Sequence, residues 1–170
     1  MKKGFTVIEL LVVITIIGIF VGLSIPIFRS IGKESLSSNV YSFAQTLKSI
    51  RETAIIRNME AQVIFDTIFI APGGCEKPAY FVRYGNEPGK FFIRNFTFSP
   101  GNATLATPEC GGGAPDPDGI QFPDNTLIFD PKGFARAGAI YISSQGETYG
   151  IGIAISGRIK VWKWGGGRWY

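Results

Sequence analysis

One carboxylate sits where a carboxylate is costly. Glu9 is the single formal charge in residues 5–28, FTVIELLVVITIIGIFVGLSIPIF. A carboxylate placed in hydrocarbon costs on the order of 2.5–3.5 kcal/mol on insertion scales. Such a group calls for a cationic partner, or for a place near the membrane edge where it can snorkel. As a helix the stretch spans roughly 36 Å, and a bilayer core is about 30 Å thick. Lys2 and Lys3 precede it. The basic end is therefore expected in the cytoplasm, and everything after Phe28 outside. An ordinary cleavable signal fits poorly, because the apolar run is too long and no A-x-A-like site follows it.

The other chemistry-bearing residues lie far away in sequence. Arg158, Lys160, Lys163 and Arg168 share residues 157–170 with Trp162, Trp164, Trp169 and Tyr170, without any acid. Cations beside aromatic rings suit a phosphate backbone and stacked bases. The run Gly165-Gly166-Gly167 would let Arg168, Trp169 and Tyr170 adapt to such a ligand. The same residues are also read as structural, with strand tryptophans covering glycines and the tail packed on the domain or on a neighbouring subunit. Cys75 and Cys110 are the two cysteines, with 34 residues between them, in glycine- and proline-rich surroundings. In an exported domain they read most simply as one disulfide, contributing roughly 3–4 kcal/mol on the loop-entropy model. Two free thiols or a shared metal are the other readings. Asp116, Asp118 and Asp124 offer hard oxygen ligands for Ca²⁺, but without EF-hand spacing, and Asp-Pro-Asp-Gly reads first as a turn. Asn95 and Asn102 begin glycosylation sequons. The chain has no histidine, and its net charge is +4. A Ser-His-Asp or Cys-His set is thereby excluded, and no GxxxxGK[ST] loop is present. No cofactor and no metal are expected.

The N-terminal residues carry a resemblance. Lys2-Lys3-Gly4-Phe5-Thr6-Val7-Ile8-Glu9-Leu10-Leu11 resembles the class III signal of type IV prepilins and type II secretion pseudopilins. The resemblance implies cleavage by a prepilin peptidase between Gly4 and Phe5, N-methylation of Phe5, and a leader of residues 1–4. It also supplies a partner for Glu9, the ammonium of Phe5 in a neighbouring subunit inside a filament core. Pro26 stands where the family often has a helix-bending proline.

These residues need elements to position them. Residues 5–28 form the membrane and filament-core helix, and residues 29–58 continue it as an amphipathic half. Leu36, Val40, Phe43, Leu47, Ile50 and Ala54 are spaced 4, 3, 4, 3, 4, one apolar stripe on a helix that ends near Asn58. The stripe is expected to pack on a sheet. Residues 59–170 read as β-rich, with strands over 62–70, 79–84, 90–98, 126–129, 139–143, 149–155 and 159–164. A hairpin loop joins 79–84 to 90–98 through residues 85–89. Residues 99–125 read as a long loop with little regular structure, pinned at Cys110. In the last hairpin the alternation of Ile151, Ile153 and Ile155 predicts a three-residue connection, Ser156-Gly157-Arg158. Ile155 then faces Ile159, Trp162 covers Gly152 and Trp164 covers Gly150.

A second resemblance covers roughly residues 120–164. Phe129-Asp130-Pro131-Lys132-Gly133, the apolar strand at 139–142, and Ile155-Ser156-Gly157-Arg158-Ile159-Lys160 resemble the GspH/FimT-type minor pilin domain. Some FimT-type members bind DNA through a Gly-Arg-x-Arg segment; here Lys160 replaces the second arginine and lacks its forked geometry. The expectation is an α+β chain, a long hydrophobic pilin helix followed by a β-rich globular domain of packed antiparallel sheets. It is expected to be no enzyme but a minor pilin or pseudopilin of a type IV pilus or type II secretion filament, acting in assembly or at the tip. DNA uptake through the C-terminal hairpin is the alternative. The implied partners are other pilin subunits, the prepilin peptidase, the bacterial inner membrane and, on the alternative, DNA. The implied location is the inner membrane before assembly and a periplasmic or surface filament afterwards.

Overall fold

A computed structural model describes the backbone of residues 7–70, 76–93 and 96–170, and their side chains outside 18–35, 66–78 and 93. Helix α1 runs over Val7–Arg57. The chain divides into two compact units, Met1–Ser35 and Leu36–Tyr170. Most of the apolar 5–28 span falls on side chains outside the described set. Among the described residues no helix is long and apolar enough to cross a membrane. The helix stops at Asn58, in the left-handed region at φ 52°. There the Asn58 N–H donates to Ile55 O (3.1 Å) and the Met59 N–H to Ala54 O (3.0 Å). This paired closure satisfies two of the last carbonyls, and asparagine tolerates the left-handed position.

Among the described residues nine strands follow: β1 (Ala61–Ile70), β2 (Glu76–Tyr84), β3 (Lys90–Ile93), β4 (Thr97–Phe98), β5 (Ile120–Gln121), β6 (Thr126–Phe129), β7 (Gly138–Ser144), β8 (Glu147–Ile153) and β9 (Ile159–Lys163). They build two antiparallel sheets. The first has the order β3-β2-β1-β6; the second has the order β4-β7-β8-β9, with β5 also paired to β7. The architecture is the expected α+β one.

The predicted helical stripe is the spine of the core. Leu36, Val40, Phe43, Leu47, Ile50 and Ala54 are all buried, and so is Ala44. They form one cluster with Val63, Phe65, Tyr80 and Leu127 of the first sheet and Ile140, Ile142, Ile151 and Ile153 of the second. The Phe43 ring lies 5.2 Å from Tyr80, 5.5 Å from Phe96, 6.2 Å from Phe98 and 6.5 Å from Phe65, centroid to centroid. One helical side chain thus ties both sheets together, through tilted and edge contacts that aromatic quadrupoles favour.

Four expectations change. First, residues 90–98 are not one strand. β3 pairs β2 (Phe91 opposite Phe81), whereas β4 pairs β7 of the other sheet (Phe98 opposite Ile142). Both halves are rich in Phe, and composition does not reveal which sheet each half joins.

Second, the β8–β9 hairpin is shifted by two residues. Ile153 faces Ile159 and Ile151 faces Val161. The three-residue loop is Ile155-Ser156-Gly157, closed by Gly157 N–H to Ala154 O (2.8 Å) and Ala154 N–H to Arg158 O (2.9 Å). Gly157 sits at φ 73°, the left-handed last position that such loops favour. Ile155 gives up burial for this and is 70% exposed. A shift of two keeps every side chain on its face, which is why the hydrophobic pattern cannot forbid it.

Third, residues 99–125 are more than a loose loop. They contain β5 and short 3₁₀ turns at Pro108–Cys110 and Pro123–Asn125. They also cover the outer face of the second sheet. A Cβ on Gly150 would come within 2.6 Å of Thr107, and one on Gly152 would overlap the Glu109 carboxylate. The β8 glycines are therefore sites where a loop approaches the strand closely.

Fourth, the tryptophan pairings move. Trp162, not Trp164, lies opposite Gly150, and the ring beside Gly150 belongs to Trp169.

Candidate functional site

Three sets of residues were candidates, at the N-terminus, at the cysteines and at the C-terminus. Gly4 and Phe5 lie outside the described residues, so the expected cleavage position does too. Glu9 stands in the first turn of α1 and is exposed. Around it Val7, Ile8, Leu10, Leu11, Val12, Val13, Ile14, Ile16 and Ile17 are all exposed in the single chain, from 46% to 81%. These positions go round the whole helix rather than down one stripe. A helix that is apolar all round is stable only when it is surrounded by lipid or by other protein.

Cys75 also lies outside the described residues. Cys110 has no disulfide partner among them. It is half-buried at the 3₁₀ turn, 3.7 Å from Thr107 Oγ1. Burial raises its thiol pKa. The expected turn at Asp116-Pro117-Asp118-Gly119 is formed, with the Gly119 N–H donating to Asp116 O (3.0 Å). Asp118 accepts from the Ile120 N–H (3.0 Å) and from Asn125 Nδ2 (2.9 Å). Its carboxylate is committed to the loop, and the described residues contain no cluster fit for a metal ion. Asn102 accepts from the Thr148 hydroxyl (2.7 Å), while Asn95 lies outside the described set.

The four C-terminal cations are not brought together. A strand alternates its faces. Lys160 and Trp162 point outward on β9, whereas Lys163 follows Ile159 and Val161 on the other face. Lys160 Nζ sits 3.4 Å above the centroid of the Trp162 ring. The Trp162 indole N–H donates to Glu109 Oε2 (2.9 Å). Lys163 pairs with Glu147 at 3.1 Å and lies 5.4 Å from the Tyr149 ring. That hydrogen bond to Glu147, then one to Tyr149, raises its pKa. Arg168 stacks at 4.9 Å over Tyr170. Arg158 is exposed at the end of the hairpin turn.

The tail folds into a turn instead of swinging freely. Gly165 N–H donates to Arg168 O (3.0 Å), and Lys163 and Tyr170 exchange backbone bonds of 3.2 and 3.0 Å. Trp169 then packs 5.0 Å from Trp164 and 5.8 Å from Tyr141, and its indole N–H donates to Leu105 O (2.8 Å). Trp164 is buried. Two of the three tryptophans therefore act as structural packing, and the third is capped by a lysine.

The sequence reading missed the neighbours of Arg158. Ala135 N–H donates to Ile155 O (2.9 Å), which puts the 130–136 loop beside the hairpin turn. Arg51 of α1 reaches both, with Nε donating to Gly133 O (2.7 Å) and a terminal nitrogen to Ser156 O (3.3 Å). Exposed Lys132 and Arg136 come with that loop. Nothing local in the sequence links position 51 to 133 or 156, since the contacts are 82 and 105 residues long.

Beneath the covering loop lies one buried phenol. Tyr141 receives the Thr107 N–H (3.1 Å) and donates to Gln121 Oε1 (2.8 Å). Burial pushes its pKa up from 10.0 to about 12. An acid whose folded pKa is raised stabilises the fold fully below its unfolded pKa, and that stability is lost as pH climbs to the folded one. Stability is therefore expected to fall between pH 10 and about 12. In denaturant titrations across that range, Tyr141→Phe should show a shallower fall than the unaltered chain. Equal slopes would remove Tyr141 as the cause.

Residues 1–25 match the family model described as the prokaryotic N-terminal methylation motif. The chain is also 35% identical over 65 residues to the type IV major fimbrial protein FimA of Dichelobacter nodosus. That stretch covers 38% of this chain and 42% of the relative, so less than half of either is matched. No solved structure matches.

Proposed function

We propose that the chain, which carries the N-terminal methylation motif over residues 1–25 and a partial likeness to a type IV fimbrial protein, is a minor pilin or pseudopilin whose apolar helix anchors the precursor and then enters a filament core. The observation that carries this reading is the start of the helix, residues 7–17, apolar all round and exposed in the single chain, with Glu9 in its first turn. In a core built from such helices the exposed apolar surface is buried at about 25 cal/mol per Å². Glu9 pairs there with the methylated ammonium of Phe5 from a neighbour, a charge-assisted bond in a dry setting. The peptidase cut after Gly4 creates that ammonium, so processing comes before assembly. The likeness of residues 120–164 to the GspH/FimT type supports the minor rather than the major role. The β domain stays outside the core and makes the assembly or tip contacts. Cys75 and Cys110 form its disulfide once the domain is exported.

The full chain, expressed with a prepilin peptidase and its filament machinery, tests this. Mass spectrometry is expected to find a mature chain beginning at N-methylated Phe5. Gly4→Arg is expected to abolish the cut. Glu9→Gln should still be cut yet enter filaments at least about tenfold less, as expected when a desolvated charge pair loses one member. Unchanged incorporation of Glu9→Gln, or an uncut wild-type chain, would overturn the reading.

DNA contact is the second reading. It keeps two of its four cations, Arg158 and Lys160, both exposed on neighbouring positions of the turn and β9. It predicts salt-sensitive duplex binding that is lost in Arg158→Ala with Lys160→Ala.

A further inference from the structure

The C-terminal end of α1, the 130–136 loop and the 154–158 turn meet at one junction. Arg51 holds the two loops, Ala135 bonds to Ile155, and Gly133 abuts Gly157 so closely that a Cβ at 157 would overlap the Gly133 carbonyl. A junction braced this firmly is ready to hold a fixed surface toward a partner.

That surface has an unusual make-up. Ile155 is 70% exposed, Phe134 51% and Ile55 40%. Ile55 lies against Gly133, so all three belong to the same place. Phe134 also lines an open hollow of about 260 Å³ with Ile128, Asp130, Ala135 and Arg136. The elements that meet here carry Arg51, Lys132, Arg136 and Arg158, with Glu52 beside Arg51 on α1. The acid within it, Asp130, has Oδ1 committed to the Lys132 N–H (2.9 Å) and the Phe134 N–H (2.7 Å). Large apolar side chains clustered in solvent mark an interaction site. Aromatics and arginines together are the usual composition of energetic hot spots.

We propose that this junction docks an acidic protein segment that carries apolar side chains. Charge complementarity selects an acidic occupant, since the elements that meet here carry four cations against two carboxylates, Glu52 and Asp130, and Asp130 turns one oxygen to its own loop. The apolar residues select protein over nucleic acid. Ile55 and Ile155 have no ring face on which a base could stack, and phosphate makes no use of them. An acidic amphipathic segment uses both parts, with carboxylates on the guanidinium forks and aliphatic side chains against Phe134 and Ile155. The inference goes beyond the filament reading. It concerns the 36–170 unit alone, and it stands or falls by binding rather than by assembly.

The test uses the full chain in neutral phosphatidylcholine nanodiscs and a labelled peptide alternating Glu with Leu and Phe, read by fluorescence anisotropy. The peptide should bind, and its Gln-for-Glu counterpart should not. Arg136→Glu with Arg158→Glu, and separately Phe134→Ser with Ile155→Ser, should each weaken binding at least about tenfold. These positions are exposed, and retained near-ultraviolet circular dichroism would show that both variants keep their core. Absent peptide binding, or equal binding by either variant, overturns the proposal. So does tighter binding of duplex DNA, which would return Arg158 to the nucleic-acid reading. Tighter binding to phosphatidylglycerol vesicles would likewise overturn it, by assigning the junction to an anionic membrane surface.

Discussion

Phe43→Ala is expected to destabilise the domain by about 3–5 kcal/mol, the range seen when a buried aromatic is truncated in a core that cannot collapse around it. The ring is fully buried and touches Phe65 of β1, Tyr80 of β2, Phe98 of β4, and Phe96. Two sheets and the helix therefore lose a shared anchor at once. The sheets have backbone ladders of their own, so they cannot close in from both sides to fill the space. Denaturant unfolding of the full chain, followed by tryptophan fluorescence, measures the loss directly. Tyr41→Ala, on the same helix but 54% exposed, should change stability by no more than about 0.5 kcal/mol. Similar losses for the two variants would mean that Phe43 is not the keystone assigned to it.

Gly157→Ala has the next largest effect, at about 2–4 kcal/mol. Two costs combine. The position is left-handed at φ 73°, which costs an L-residue roughly 1–2 kcal/mol. A methyl group there also meets the Gly133 carbonyl and the Arg51 guanidinium. The first obstacle is backbone, held by the Asp130–Gly133 turn, and it cannot swing away as a side-chain tip would. Gly166 offers a clean comparison. Its φ is 76°, but a Cβ there would meet nothing within 4 Å. Gly166→Ala should cost about 1–2 kcal/mol. The excess at Gly157 then measures the crowding alone, and equal losses would show that the close approach to Gly133 carries no weight. If the excess is found, the glycine of the Gly157-Arg158 pair is first an architectural residue. Its place in the hairpin is demanded by Arg51 and Gly133, and Arg158 is presented as a consequence.

The helical stripe was legible because a helix brings residues three and four apart onto one face, so Leu36 through Ala54 announce their burial within a single local window. Strands β6 through β9 were legible for a similar reason, from short runs of Val, Ile and aromatic residues between turn residues. The loop at Gly85–Gly89 and the Asp116–Gly119 turn follow from backbone preferences that glycine, proline and aspartate carry wherever they stand. Glu9 stood out because an acid in an apolar run is anomalous without any knowledge of its neighbours.

What was not legible depends on partners distant in the chain. The β8–β9 register turned on a contest between burying Ile155 and giving Gly157 its left-handed site. Alternation is blind to a slip of two residues, so only the assembled hairpin, with Gly133 and Arg51 against it, decided the matter. The C-terminal cations read as one cluster because they are close in sequence. The strand's alternation and the partners Glu147, Trp162 and Tyr170 dispersed them. Arg51, remote in sequence, instead bonds the turn that carries Arg158, and the loop bearing Lys132 and Arg136 bonds to the same turn. The sequence by itself determined the α+β class, the helix and its buried face, and it singled out Glu9, because those rest on local periodicity and on the cost of isolated charge. Which strand joins which sheet, what covers the β8 glycines and which cations share a surface were decided by tertiary structure alone. Those outcomes are set by long-range packing and hydrogen bonding, whose terms no local window contains.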